Sequence, residues 1–537
     1  MILFTVPDLL DHARHHWPER PFILSNDDTV TFGALAERVE SFAGWLYRQG
    51  IRPGDRVGVH LQKSPEEIVA MLAAARIGAV WVNLSVHWSP HQVRDQARDC
   101  GMRLLVTGPR RAGELLREEW PETLERLVVF GDDTVVEGDD SRWIGWDEAI
   151  DTLPPQARAP IETDLAAICY TSGSTGRPKG VMLSHRNFVA ATEIVAEYLG
   201  NSADDRLLSV LPCCFNYGLL QVLSMLLVGG SIVLQRVTMA AELAGALHRH
   251  QITGVAAVPS IWTPLVAYLA ETGGSFPHLR YLTNAGGKCP DAVLARLPEV
   301  FPTTRIYLMY GMTETIRATY LPPDLFQTKR GAMGSPTRNT EIFIVDAEGR
   351  PCPPGVAGEL VQRGPTVALG YWGRPEATLE KFRPCPGLGP VGNDRFCWSG
   401  DIVREDEDGI LWFVGRQDFM IKSNGVRISP TEIEEAIHHF PGVVHAVAFG
   451  APDLHAGQAI EVAVQAGEDG IDLGALRRFC RTALPGYLLP RRLHLWLGRM
   501  PTTGNGKIDT RAVIDTLLRA AEEERRTLPP TETGDLS

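Results

Sequence analysis

The chain has 537 residues, 44% of them hydrophobic and 22% charged, a balance that implies several folded domains and excludes a disordered, collagen-like or coiled-coil chain. A formal net charge of −13 argues against a nucleic-acid binder held by a general positive field, because such binding needs an excess of Lys and Arg to displace counterions. Nine cysteines without a C-x-x-C pair suggest neither a disulfide framework nor a zinc ribbon, and no basic stretch precedes the apolar residues of the N-terminus, so no signal peptide is read and a reducing cytoplasm is expected.

Along the chain, residues 56–61 read as a strand and Ser64-Pro65-Glu66-Glu67 as a helix start, with Ser as cap and Pro at the first helical position. That helix runs to Gly78, and residues 79–84 resume as strand. Apolar runs at 102–106, 127–130, 254–258 and 305–308 alternate with helical segments, the pattern of parallel α/β sheets. The most apolar stretch, 219–234, is broken by Gln221, Ser224 and Gly229-Gly230, so it reads as a buried helix running into a buried strand and not as a membrane span. After about residue 340 the pattern changes to short strands at 341–345, 359–362 and 410–414, separated by Gly, Pro and Asp, with no helix until Ser429. This predicts a small β-barrel appended to the two α/β sheets.

A further unit begins near Arg416. Ser429-Pro430-Thr431-Glu432 reads as a capping box. Strands at 446–449 and 461–465, a helix at 473–484, a strand at 493–497 and a helix at 510–520 predict a small α+β domain. The expected division is a large N-terminal domain over 1–415, a C-terminal domain over 416–520 and a disordered tail over 521–537.

The most informative segment is Thr171-Ser172-Gly173-Ser174-Thr175-Gly176-Arg177-Pro178-Lys179, which follows an apolar strand. Two Gly, four hydroxyl side chains and a Lys fall within it; hydroxyls and free backbone N–H groups can wrap phosphate oxygens, and Lys adds a fixed charge. It is not a Walker A loop, because Lys179 leads into a strand-like run, and the next helix waits until Ser184-His185. Gly387-Leu388-Gly389-Pro390-Val391-Gly392 spells a dinucleotide fingerprint but has no readable strand before it or helix after it, so it reads as an irregular loop.

Four further segments accompany the loop: Tyr310-Gly311-Met312-Thr313-Glu314, Trp398-Ser399-Gly400-Asp401, 415–422, and Thr503-Gly504-Asn505-Gly506-Lys507-Ile508-Asp509. In this order and spacing the set resembles the AMP-forming adenylating superfamily: acyl-CoA synthetases, peptide-synthetase adenylation domains and luciferases. It is most similar to stand-alone bacterial acyl- or aryl-acid ligases. The resemblance implies attack of a carboxylate on the α-phosphate of ATP to give acyl-AMP and pyrophosphate. Transfer to a thiol follows, either of CoA or of the phosphopantetheine on an acyl or peptidyl carrier protein.

By the same resemblance, Thr171, Ser172, Gly173, Ser174, Thr175, Gly176 and Lys179 hold the β- and γ-phosphates, and Gly287, Tyr310, Asp401 and Arg416 hold the nucleoside. Glu314 is a hard oxygen ligand suited to Mg²⁺, Thr313 reaches the α-phosphate, and Asp401, an acceptor when ionised, suits a ribose diol. Lys507 carries the positive charge that stabilises the oxygens around the α-phosphorus during displacement. Asp418 matches the hinge about which the small domain swings, and Gly425 the segment facing the thiol tunnel.

Residues 211–218 resemble the wall that binds the acid, with Phe215, Asn216, Tyr217 and Gly286 as pocket residues. Amino-acid-activating members often have Asp where Asn216 stands, to pair the substrate ammonium; a neutral residue there argues against an ordinary α-amino acid. Phe-Asn-Tyr resembles aryl-acid-activating enzymes, whereas residues 310–323 resemble acyl-CoA ligases of bacterial protein-sorting gene clusters. The acid therefore stays open, acyl or aryl. Lys288 either meets an anionic substituent or is a surface lysine. Seven basic residues and no acid between 473 and 508 could meet CoA phosphates or an acidic carrier protein. The remaining readings are a stand-alone amino-acid adenylation enzyme, an amide-forming ligase and a catalytically dead nucleotide-binding relative.

Overall fold

The computed structural model describes residues 2–24, 29–117, 119–131, 141–150, 157–171, 178–236, 239–423, 426–453, 457–467, 470–503 and 507–527. The chain forms two units. The first takes Met1–Ser399 and Arg404–Trp412, the second Gly400–Val403 and Phe413–Ser537.

Two large sheets organise the first unit. One has eight strands, in the order Gly370–Tyr371, Lys179–Ser184, Leu165–Thr171, Val80–Asn83, Arg56–His60, Met102–Thr107, Arg126–Val129 and Trp143–Gly145. The other has nine, centred on the parallel run Arg305–Tyr310, Tyr281–Asn284, Gly254–Ala257, Arg206–Ser209 and Ser231–Leu234. Both are parallel at the centre, as the alternating pattern predicts, but carry antiparallel pairs toward their edges.

The helix Pro65–Arg76 is buried on every face, from Glu67 through Ala75, which accounts for its continuous apolar sequence. Ser64 caps it as expected, accepting from the Glu67 N–H at 3.2 Å. The run over 219–234 is the helix Asn216–Val228 followed by the strand Ser231–Leu234, both largely buried. Among the described residues no helix is long and apolar enough to cross a membrane.

The third element is a curled five-stranded sheet built from Glu341–Val345, Gly358–Arg363, Phe396–Glu405, Phe382–Arg383 and Leu411–Arg416. Contrary to expectation a helix, Pro375–Lys381, interrupts this region. Its proline occupies the first turn, where the missing N–H costs nothing, and at seven residues it is too short to show an apolar period.

In the second unit, Val443–Asp453 and Gly457–Ala466 form a long antiparallel pair, flanked by Arg492–Trp496, Ile421–Ser423 and Val426–Ile428. Helices Pro430–His438, Leu473–Ala483 and Thr510–Thr527 complete the α+β arrangement. Two local expectations fail here. Ser429 makes no cap bond; its hydroxyl donates to the Val414 carbonyl. The final helix continues to Thr527 through residues assigned to the tail, because Glu and Arg are good helix formers as well as polar; residues 528–537 lie outside the described set.

Candidate active site

Thr171 ends one strand and Lys179 begins the next, and the two residues face each other in antiparallel register. The strand pair thus holds the two ends of the glycine-rich segment, Thr171 and Lys179, side by side. The candidate residues Ser172, Gly173, Ser174, Thr175 and Gly176 lie outside the described residues. On the other side of Lys179–Ser184 runs Gly370–Tyr371, with Tyr371 opposite Val181. The Lys179 ammonium lies 5.3 Å from the centroid of the Tyr371 ring. The Tyr371 hydroxyl donates to Glu314 Oε1 at 2.7 Å. Both are secluded, Glu314 at 9% and Tyr371 at 6% exposure, so water does not readily replace that bond.

Tyr371 therefore ties two predicted residues together, and sequence reasoning missed it. A tyrosine in Gly-Tyr-Trp gives no local signal of a partner fifty-seven positions away. Among the described residues no group of three or more His, Cys, Asp or Glu could enclose a metal. A cation at Glu314 would take one carboxylate and complete its shell with phosphate and water oxygens, the habit of Mg²⁺; the donor set fits that ion.

Glu314 and Thr313 lie in a turn between the strands Arg305–Tyr310 and Thr319–Leu321, closed by the Ala318 N–H donating to the Tyr310 carbonyl at 3.0 Å. A Cβ on Gly311 would stand 2.6 Å from the Ile316 carbonyl oxygen, so no other residue fits there. Ile316 is held at φ +51°, a left-handed conformation that is rare for a β-branched side chain. Tyr310 is half-buried at the strand end.

Phe215 precedes and Asn216 opens the helix Asn216–Val228. Asn216 is buried, donating to the Thr313 carbonyl at 3.3 Å and accepting from Cys169 Sγ at 3.4 Å, so the predicted acid wall and the predicted nucleotide segment adjoin. The Tyr217 hydroxyl pairs with Thr283 Oγ1 at 2.6 Å, next to the strand end that leads to Gly286 and Gly287. Gly286 has φ +82°, and the Gly287 carbonyl accepts from Asn284 at 3.3 Å. Burial raises the Tyr217 hydroxyl above its ordinary range, with the Thr283 bond opposing it. Lys288 is exposed.

The base of this wall rests on an unexpected cation. Lys63 is buried, and its ammonium donates to Ser209 O at 2.8 Å, to Ser209 Oγ at 3.0 Å and to the Leu211 carbonyl. Desolvation lowers its pKa and raises that of the neighbouring Glu67 to about 7, although each group's charge favours ionisation of the other.

In the second unit Asp401 is buried and pairs with Arg416, Oδ1 to Nε 3.4 Å. The Thr503 N–H donates to the Lys507 carbonyl at 2.7 Å. The Lys507 side chain is exposed as a whole, yet loss of hydration around its ammonium, and next the Arg416 charge, lower its pKa from the ordinary value, with Asp401 opposing. Asp401, Arg416 and Lys507 thus form one electrostatic group. Asp418 is exposed in a short turn, Gln417–Phe419; Gly425 lies outside the described residues. Of the basic residues between 473 and 508, Arg478 pairs with Asp472 at 3.7 Å and Arg491 with Asp453, so acids flanking that stretch temper its charge.

Residues 10–372 match the model of the AMP-binding enzymes and residues 432–507 that of the AMP-binding enzyme C-terminal domain. The chain is 31% identical to a feruloyl-CoA synthase of an Amycolatopsis species over 92% of its own length and 96% of that protein's. It is 33% identical to an L-proline–[L-prolyl-carrier protein] ligase of Streptomyces coelicolor, over 93% and 94% of the two lengths. It also matches subunits C and D of linear gramicidin synthase from Brevibacillus parabrevis, of whose lengths it spans 6% and 9%. Among solved structures, the o-succinylbenzoate CoA synthetase of Bacillus subtilis, in complex with ATP and magnesium, superposes with a TM-score of 0.80 at 26% identity, over 94% of this chain and 99% of that one. The chain belongs to the AMP-binding enzyme family.

Proposed function

We propose that the chain activates a carboxylic acid with ATP, releasing pyrophosphate, and passes the acyl group from the adenylate to a thiol of CoA or of a carrier-protein phosphopantetheine. The observation that carries this reading is the Lys179–Tyr371–Glu314 arrangement beside the glycine-rich segment: a cation and a carboxylate held by one aromatic residue where phosphates would sit. Lys179, Thr171 and the segment 172–177 take the β- and γ-phosphates. Glu314 takes Mg²⁺, which neutralises the triphosphate when bound. Thr313 reaches the α-phosphate, and Tyr310 and Gly287 face the adenine. Asp401 accepts from the ribose hydroxyls, with Arg416 supporting it.

Phe215, Asn216, Tyr217 and Gly286 line the acid site. Lys507 brings its ammonium to the oxygens around phosphorus as the bond to pyrophosphate breaks, on a C-terminal domain (416–520) that swings about Asp418; Gly425 then faces the incoming thiol. Nine free cysteines, eight of them buried, suit a reducing compartment such as the cytoplasm.

The test is pyrophosphate release and hydroxamate formation with ATP, hydroxylamine and a panel of acids, on the native chain and on Lys507→Met. Removing one preorganised charge is expected to slow adenylation ~10²–10³-fold. Full-speed adenylation by a folded Lys507→Met chain, or no product with any acid despite ATP binding, overturns the proposal. Active acids are then offered CoA, carrier proteins and amines to identify the acceptor.

A further inference from the structure

The strained turn after Glu314 delivers a second cation to the interior. Arg317 follows Ile316, the residue held at φ +51°, and is only 2% exposed. Its backbone is pinned from behind: the carbonyl accepts from Gln362 Nε2 at 3.0 Å and from Thr366 Oγ1 at 3.2 Å, both buried. The guanidinium lies over the ring of Tyr217, 5.4 Å from its centroid. Its Nε is buried with no hydrogen-bond partner, and among the described residues no carboxylate pairs with it. The half-buried Arg76, by contrast, is held by the carboxylates of Asp11 and Glu40.

An arginine keeps its charge when buried, and a buried charge without a partner is costly. A cation–π contact recovers only part of that cost. Backbone strain of the kind seen at Ile316 persists where the surroundings over-determine it, commonly where a side chain must be aimed. The unfilled partner of Arg317 therefore belongs to something that enters, and the ring it covers is that of Tyr217.

We propose that Arg317 receives a second carboxylate of the substrate, so that the acid activated here is a dicarboxylic acid: one carboxylate is adenylated while the other closes on the guanidinium fork beside Tyr217. This rests on the reading above, in which Tyr217 lines the acid site, and deepens it by naming the substrate class. A planar fork matches a carboxylate in two parallel N–H···O bonds. The same charge repels an ammonium, which together with the neutral Asn216 excludes an ordinary α-amino acid. The triphosphate is the competing anion, but Lys179 and Glu314, which mark its place, are tied to Tyr371, whereas Arg317 lies over Tyr217.

The experiment compares acids matched in skeleton and differing only in the second carboxylate: hexanoic with adipic acid, and 3-phenylpropanoic with 4-(2-carboxyethyl)benzoic acid. Pyrophosphate release is measured on the native chain, Arg317→Gln and Arg317→Lys. The native chain is expected to favour the diacid of a pair by about 10²-fold in kcat/KM, because a monoacid leaves the buried cation unpaired. Arg317→Gln should abolish that ratio, and Arg317→Lys, which keeps charge without the fork, should fall between.

Should the glutamine variant not fold, thermal shift of the native chain decides: the diacid should raise Tm and the monoacid should not. Equal turnover of both members of each pair by the native chain overturns the proposal and leaves adenylation standing. So does a rise in KM for ATP in Arg317→Gln with the acid ratio unchanged, which would make the residue a nucleotide ligand. No turnover and no thermal shift with any acid overturns the adenylation reading, and this inference with it.

Discussion

Replacing Tyr371 by Phe keeps the ring that faces Lys179 and removes only the hydroxyl that donates to Glu314. The bond is 2.7 Å long between groups at 6% and 9% exposure. A hydrogen bond to a charged, secluded group is worth ~1.5–3 kcal/mol, and 1.36 kcal/mol is a factor of ten in rate. If the hydroxyl orients the carboxylate for its work, the substitution should slow adenylation by about 10- to 100-fold. The diagnostic step is a double-mutant cycle with Glu314→Gln, read by pyrophosphate release. In that background the carboxylate charge is already gone, so losing the hydroxyl should cost under about 3-fold, leaving a coupling of ~1–2 kcal/mol. An equal cost of Tyr371→Phe in both backgrounds, with unchanged Tm in every variant, refutes a role acting through Glu314.

The depressed pKa of Lys507 predicts an alkaline limb in the adenylation rate at a pH below that of an ordinary lysine, absent from Lys507→Met; a pH profile that stays flat up to the ordinary lysine range contradicts it. Glu67, whose folded pKa of about 7 lies above the ordinary 4.5, gives stability that is complete below the ordinary value and lost as pH rises through 7. Glu67→Gln should therefore gain on the native chain between pH 5 and pH 8, by on the order of 2 kcal/mol in denaturant titration, and a constant difference across that range would show that Glu67 does not titrate there. Gly218→Ala should lower Tm and acid activation together, since its Cβ would stand 2.1 Å from the Pro212 carbonyl oxygen; a native-like Tm would mean that the wall yields. Cys352 alone among the nine cysteines is not buried, so iodoacetamide should modify it first, as peptide mass mapping will show.

What was legible in the sequence was what is local. The segment 171–179 announces itself by composition, and strand–helix alternation predicts the two sheets because their strands are buried on both faces and read as apolar runs. Ser64 caps its helix because everything the cap needs lies within three residues. Ser429 carries the same signature, but its hydroxyl finds the Val414 carbonyl fifteen positions back, a competitor no local pattern contains. Tyr371, Lys63 and Arg317 acquire their roles from partners 57, 146 and 100 positions away: Glu314, Ser209 and Tyr217. Arg317 even lies within a segment the sequence singles out, yet nothing in its composition tells an aimed cation from a solvated one. The helix Pro375–Lys381 was missed because it is too short to repeat.

The hydroxyl of Tyr371 reaches a carboxylate encoded well upstream of it. A ribosome that has released the chain only as far as Trp143–Gly145 can already assemble the five parallel strands of the eight-stranded sheet that precede residue 150. The constellation of Lys179, Glu314 and Tyr371 must wait for more than two hundred further residues to emerge. A nascent chain stalled before that point can acquire much of its framework while lacking the Tyr371–Glu314 bond, so under the proposed function folding and the onset of ATP consumption would be separated during synthesis.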